Sequence, residues 1–222
     1  MTIPVSIEQA RAWYSPDDPV HGFDHVLRVY YMAEDLARKE DADIEMVRAA
    51  VLLHDVQVEA GERQAHHEAA AAFAARVLQA QGWPQKRIAA VQHCIRAHRF
   101  RQPSESPQTI EAKVVFDADK LDAIGAVGAA RAIAYSLAAG GPIFAPPSER
   151  FMQTGETEAG EPYSAYHEYL FKLRKIQDRI FTPSAAAIAA ERSRLMAAFF
   201  DNLAREMSLP AAETQTGAEN AG

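Results

Sequence analysis

A single cysteine, Cys94, stands in 222 residues, which excludes an intramolecular disulfide framework and any cysteine-rich zinc module. A lone thiol fits a reducing compartment, so a cytoplasmic location is expected. Positive charge is also scarce, with 23 Lys+Arg against 30 Asp+Glu and a formal charge of -7. That balance gives no broad attraction to a nucleic-acid polymer or an anionic membrane, so any cationic site must be local. No stretch stays apolar for the roughly 20 residues of a membrane span, and the opening MTIPVSIEQARAWYSPDD lacks a basic segment followed by an apolar run. Neither export nor membrane insertion is expected. Internal repeats, strand-helix alternation and an interdomain linker are missing too. A chain that is 48% hydrophobic and 24% charged can build one substantial core.

What is present reads as helix. Val26, Val29, Tyr30, Ala33 and Leu36 recur at helical spacing, while Arg28, Glu34, Arg38 and Lys39 point in other directions. A second helix runs from about Asp43, an N-cap candidate, to the polar pair His54-Asp55. A third spans Arg63 to Gln81 and is closed by Gly82; a fourth starts near Pro84, where a first-turn proline sacrifices no hydrogen bond. Beyond a loop at Pro103 to Gln108, two helical stretches join near Gly125. Val114, Val115 and Phe116 suit a strand, but the Ala, Lys, Asp and Leu around them favour helix. From Gly140 to Pro162 the composition predicts a long loop. Thr182-Pro183 then opens the clearest helix of the chain, and residues 209–222 read as a disordered tail. The expectation is one all-α domain over residues 1–208.

Three segments set histidine and aspartate into apolar helical sequence: HGFDHVLRV with His21, Asp24 and His25; AAVLLHDV with His54-Asp55; and VVFDADKLDAIGA with Asp117, Asp119 and Asp122. Buried ionisable groups need partners, and imidazoles meeting carboxylates form a site for a divalent first-row metal. Adjacent helical residues diverge by about 100°, but at a helix end both members of the His54-Asp55 tandem can reach one ion.

The ordered set of a histidine, a His-Asp tandem and a distant aspartate resembles the metal motif of the HD-domain phosphohydrolases, with His25, His54, Asp55 and Asp119 filling its positions. The resemblance extends through EAKVVFDADKLDAIGAVGAAR, GGPIF and the stretch from Tyr166-His167 to Lys172-Leu173. These segments are similar to one bacterial subgroup that includes nucleoside triphosphate pyrophosphohydrolases. It implies a single helical HD-type fold and hydrolysis of a (d)NTP to nucleoside monophosphate and pyrophosphate by metal-activated water. Two imidazoles and two carboxylates suit Mn first, with Fe, Co, Ni or Zn also suited and Mg less so because it prefers oxygen ligands.

Other residues are assigned around that core. Glu59, just past the tandem, and Asp122, one helical turn after Asp119, are the candidate catalytic carboxylates, Asp122 as an outer acceptor or water-binding group. Arg28, Lys113 and Lys120, with Arg131 behind them, are the cations expected to meet a triphosphate. His98 resembles a recurrent histidine of the subgroup and is a candidate substrate contact. His21, His66-His67 and His93 read as caps, exposed or hydrogen-bonded residues as readily as ligands. Asp117 is expected to be solvated or paired with Lys113 at i,i+4, and Cys94 to be a buried small residue. The last helix offers core or a homo-oligomer contact. Two other activities stay open: phosphomonoester hydrolysis of a nucleoside monophosphate, and a non-catalytic nucleotide sensor.

Overall fold

The computed structural model describes residues 4–15, 22–56, 66–99 and 105–208. Ten α-helices form among them, with no β-strand: α1 (Ile7–Arg11), α2 (Phe23–Lys39), α3 (Ile44–Leu53), α4 (His66–Ala80), α5 (Gln85–Ala97), α6 (Ile110–Asp122), α7 (Gly125–Ala138), α8 (Glu149–Thr154), α9 (Ala165–Phe171) and α10 (Pro183–Met207). The all-α expectation holds. The apolar stripe of α2, Val26, Val29, Ala33 and Leu36, is fully buried and lies against α3 and α6. Helix α3 packs on α5, α4 and α5 form an antiparallel hairpin, and α10 rests on α7 and α6. Val114, Val115 and Phe116 are buried within α6, so helix propensity prevails over their β-branching.

Local signals set the helix ends. The Asp43 side chain accepts from Met46 N at 3.0 Å to start α3. Gly82, at φ +77°, ends the α4 region, with Trp83 N donating to Leu78 O at 3.0 Å. Helices α6 and α7 meet at a 65° bend around Gly125, at φ +78°. One turn on, a Cβ at Gly128 would stand 2.2 Å from the Ala123 carbonyl oxygen, so only glycine lets α7 pack that tightly against the end of α6.

Two expectations need correction. Asp117 is neither solvated nor paired with Lys113: it is completely buried and accepts from Phe181 N at 2.9 Å, Thr182 N at 2.8 Å and Thr182 Oγ1 at 2.7 Å. The carboxylate thereby satisfies orphan amides at the start of α10. The predicted loop from Gly140 to Pro162 contains α8, started by Ser148 and closed by Gly155 at φ +78°. Glu161 ties that segment down, accepting from Ser148 N and Ser148 Oγ, each at 2.7 Å, and from Glu158 N at 2.6 Å. Such polar stitching leaves no apolar periodicity for a sequence reading to detect.

Cys94 is buried, as expected. His21, Glu59 and residues 209–222 lie outside the described residues, as does the side chain of His66. No single helix among the described residues is long and apolar enough to cross a membrane.

Candidate metal centre

Three helices bring the centre together. Helix α2 starts at Gly22 and presents His25 from its first turn. Helix α3 stops at Leu53, which leaves His54 as its C-cap and Asp55 just beyond. Helix α6 contributes Asp119 and Asp122 from its last turn. The tandem behaves as a helix end allows: His54 Nε2 is 3.4 Å from Asp55 Oδ2 and 4.0 Å from Asp119 Oδ1, while His25 Nε2 is 3.3 Å from the same Asp119 oxygen. His25, His54 and Asp119 thus form one ligand-competent group, and His54, Asp55 and His98 form another that shares His54.

Each imidazole is anchored through its other nitrogen. His54 Nδ1 lies 2.8 Å from Val51 O, His98 Nδ1 lies 2.5 Å from Ile95 O, and His25 Nδ1 lies 2.7 Å from Asp122 Oδ2. A carbonyl can only accept, so Nδ1 carries the proton in His54 and His98, and the Nε2 lone pair faces inward. His54 Nε2 is buried and has no hydrogen-bond partner among the described residues. A buried polar atom left in that state calls for something that accepts a lone pair.

Electrostatics say the same. Burial works against charge on Asp119, yet Lys120, His25 and His54 hold its carboxyl well below the usual range. Burial also opposes protonation of His25, but hydrogen bonds to Asp119 and Asp122 raise its pKa to about 9. Asp122 is lowered to about 2: burial raises it, and His25, Arg28 and Arg131 more than compensate. His54, by contrast, is pushed down chiefly by burial, which favours the neutral imidazole a metal needs. Between two carboxylates a proton on His25 supplies the positive charge, and a divalent cation would displace it. The donor set and the orphaned nitrogen therefore fit a divalent metal.

The expected cations divide. Arg28 grips Asp122 with Nε at 2.7 Å from Oδ1 and Nη2 at 3.1 Å from Oδ2, and its side chain stays 40% exposed. Arg131 Nη1 donates to the same Asp122 Oδ2 at 2.7 Å. Lys120 is buried, with Nζ 2.5 Å from Asp119 Oδ2 and 5.4 Å from the centre of the Phe116 ring. Lys113 is half-buried six residues before Asp119, and the centre's described contacts do not include it. His93 pairs instead with Glu105 and accepts from Gln108 N, and His67 is buried with Nε2 3.8 Å from Glu68. Asp122, one turn after Asp119, meets His25 Nδ1, Arg28 and Arg131.

One contributor had no sequence signal. Tyr14 is buried, and its hydroxyl donates to Leu52 O at 3.1 Å, one of the last carbonyls of α3. Burial and the Asp55 charge raise its pKa well above the usual value. An aromatic residue three positions past a five-residue helix shows no periodicity that would tie it to a segment far along the chain.

A helical bundle that gathers a histidine, a His-Asp tandem and a distant aspartate defines an HD-type protein. Residues 22–124 match the HD domain family, and the chain belongs to that family. It is 30% identical to YpgQ of Bacillus subtilis over 216 residues, covering 94% of this chain and 96% of YpgQ. The structure of YpgQ in complex with ADP superposes with a TM-score of 0.69 at 28% identity, covering 91% of this chain and 98% of that one. A Lactobacillus plantarum protein gives 0.72 at 32% identity, with 92% and 95% covered. An HD-superfamily hydrolase from Bacillus thuringiensis gives 0.65 at 26% identity, with 92% and 97% covered.

Proposed function

We propose that this HD-family chain is a metal-dependent phosphohydrolase that cleaves nucleoside triphosphates between the α and β phosphates. The observation that carries this reading is the pair of ligand-competent groups, His25 with His54 and Asp119, and His54 with Asp55 and His98, that share His54, whose buried Nε2 has no hydrogen-bond partner among the described residues. These four residues would hold the divalent ion, Mn²⁺ as first choice with Mg, Fe, Co, Ni or Zn as alternatives. The bound ion supplies a Lewis acid for a phosphate oxygen and lowers the pKa of water.

The chain's own residues do the rest. Asp122 holds His25 by Nδ1 and keeps Nε2 aimed at Asp119. Lys120 partly neutralises Asp119. Arg28 and Arg131 bracket Asp122 and place two guanidinium groups beside the centre, where phosphate oxygens carry negative charge. His98 Nε2, 3.5 Å from Asp55 Oδ1, is in reach of a group bound at Asp55. Water attacks the α-phosphorus, the bond to the bridging oxygen breaks, and pyrophosphate leaves with that oxygen. The ADP complex of YpgQ supports a nucleotide as ligand, and the subgroup resemblance supports the bond chosen.

The test is incubation of the purified protein with Mn²⁺ and a panel of ribo- and deoxyribonucleoside tri- and monophosphates, with products separated by chromatography. Monophosphate and pyrophosphate are expected. Orthophosphate released from monophosphates would replace this reading with a nucleotidase, and tight binding without turnover would replace it with a sensor.

A further inference from the structure

Helix α10 is 25 residues long and turns one stripe to the core, in which Ala185, Ala189, Met196 and Phe200 are buried. On its outer surface Leu195 and Phe199, one turn apart, are 50% and 39% exposed. A single exposed apolar side chain needs no explanation, but a contiguous patch does. A Cβ at Gly125 would stand 3.0 Å from Arg192 Cγ, and one at Gly128 3.0 Å from Met196 Cε, so α7 lies directly against this part of α10. Ala126, Val127, Ala130, Ala134 and Leu137 of α7 are all exposed. At 3.6 residues per turn these side chains share one face. No charge interrupts it, because the helix's charged residue, Arg131, turns to Asp122 instead.

Charge on α10 is arranged to match itself. Glu191, Arg194, Asp201 and Arg205 are exposed and fall on the same side of Leu195, about 40–120° round the helix. When a two-fold axis relates an antiparallel pair of helices, the same side of each meets the same side of the other. An axis crossing α10 beside Ala198, a small exposed residue, sets Leu195 of each copy against Phe199 of the other. The same axis sets Arg194 against Asp201 and Glu191 against Arg205, so every one of these charges meets its opposite. Each chain carries a formal charge of -7, and a face whose charges cancel is where two such chains repel least.

We propose that the face formed by α7 and α10 is a homodimer interface, with α10 of one copy antiparallel to α10 of the other. The inference goes beyond the hydrolytic reading and stands without it. Leu195, Phe199 and the apolar face of α7 supply the surface removed from water, and the alternating acids and bases fix the register and exclude a parallel pairing. A lipid surface would accept the α7 face but has no use for matched carboxylates and guanidinium groups at those spacings.

Sedimentation velocity on the full-length protein at about 1–100 µM tests this. A dimer is expected. Arg194→Glu or Asp201→Lys alone sets like charges together twice across the axis and weakens the dimer by about tenfold or more. An equimolar mixture of those two variants is expected to recover wild-type affinity within about threefold, because in the mixed pair both contacts again join opposite signs. That rescue is specific to the antiparallel arrangement. Leu195→Glu, at a half-exposed site and checked for folding by circular dichroism, is expected to leave a monomer. A monomeric wild type across that range, a dimer that none of the variants weakens, or a mixture no tighter than either variant alone overturns the proposal. A monomer that floats with phosphatidylcholine vesicles would give the face to a lipid surface and overturns it equally.

Discussion

His25 Nδ1 lies 2.7 Å from Asp122 Oδ2, and the same carboxylate is held by Arg28 and Arg131. One acidic side chain from the end of α6 thus fixes the imidazole at the start of α2 while two cations fix the acid. Replacing such an outer partner typically costs about 10–100-fold in metal affinity. Asp122→Asn keeps the volume but loses the charge that orients His25. It is expected to weaken Mn²⁺ binding by about that factor in a calorimetric titration, with wild-type affinity counting against a positioning role.

Asp55 belongs to the centre itself, its carboxylate spanning from His54 on one oxygen to His98 on the other. Asp55→Ala removes a proposed ligand, so the loss should exceed the about 10–100-fold of an outer partner. Purified from Mn²⁺-supplemented medium, the variant is expected to carry little metal by elemental analysis and to show no turnover. A fully metallated, active Asp55→Ala protein would remove Asp55 from the ligand set.

Asp117 has a different task two residues before Asp119. Its three hydrogen bonds satisfy Phe181 N, Thr182 N and the Thr182 hydroxyl. Asp117→Ala strands those donors, and an unsatisfied buried donor costs about 1–3 kcal/mol. The expected loss is about 3 kcal/mol, or roughly 6–12 °C in Tm for a chain of this size. A Tm within 2 °C of wild type, by differential scanning calorimetry, would show that solvent replaces the carboxylate.

The contrast between Asp117 and Asp119 marks how far sequence carries. The helices followed from spacing: the stripe of α2, the join at Gly125 and the Thr182-Pro183 start of α10 all appear as expected. The set His25, His54, Asp55 and Asp119 was expected from the resemblance, and the structure places His25, His54 and Asp119 in one group and His54, Asp55 and His98 in another. Asp117 was not, since its partners at residues 181 and 182 come from packing far along the chain. Lys120 was legible as a neighbour of Asp119 but not as a buried one, because its ammonium lies over the Phe116 ring and meets the Asp119 carboxylate. Helix α8 and Tyr14 escaped for a related reason: hydrogen bonds to non-periodic residues hold them, and hydrophobic spacing does not record such bonds.

Glu161 makes the acid stability of the α8 region predictable. Burial raises its pKa, but His167, Ser148 and the Glu158 amide outweigh that and bring it from 4.5 to about 2. A carboxyl whose folded pKa lies below its unfolded one stabilises the fold above the unfolded value, and loses that contribution as pH falls toward the folded one. Glu161→Gln cannot carry the charge at any pH. The variant is therefore expected to be less stable than wild type at pH 7 and to converge on it between about pH 4.5 and pH 2, in urea midpoints measured at several pH values. A gap that stays constant across that window would assign the effect to hydrogen-bond geometry alone, and a gap that widens as pH falls would contradict the direction of the shift.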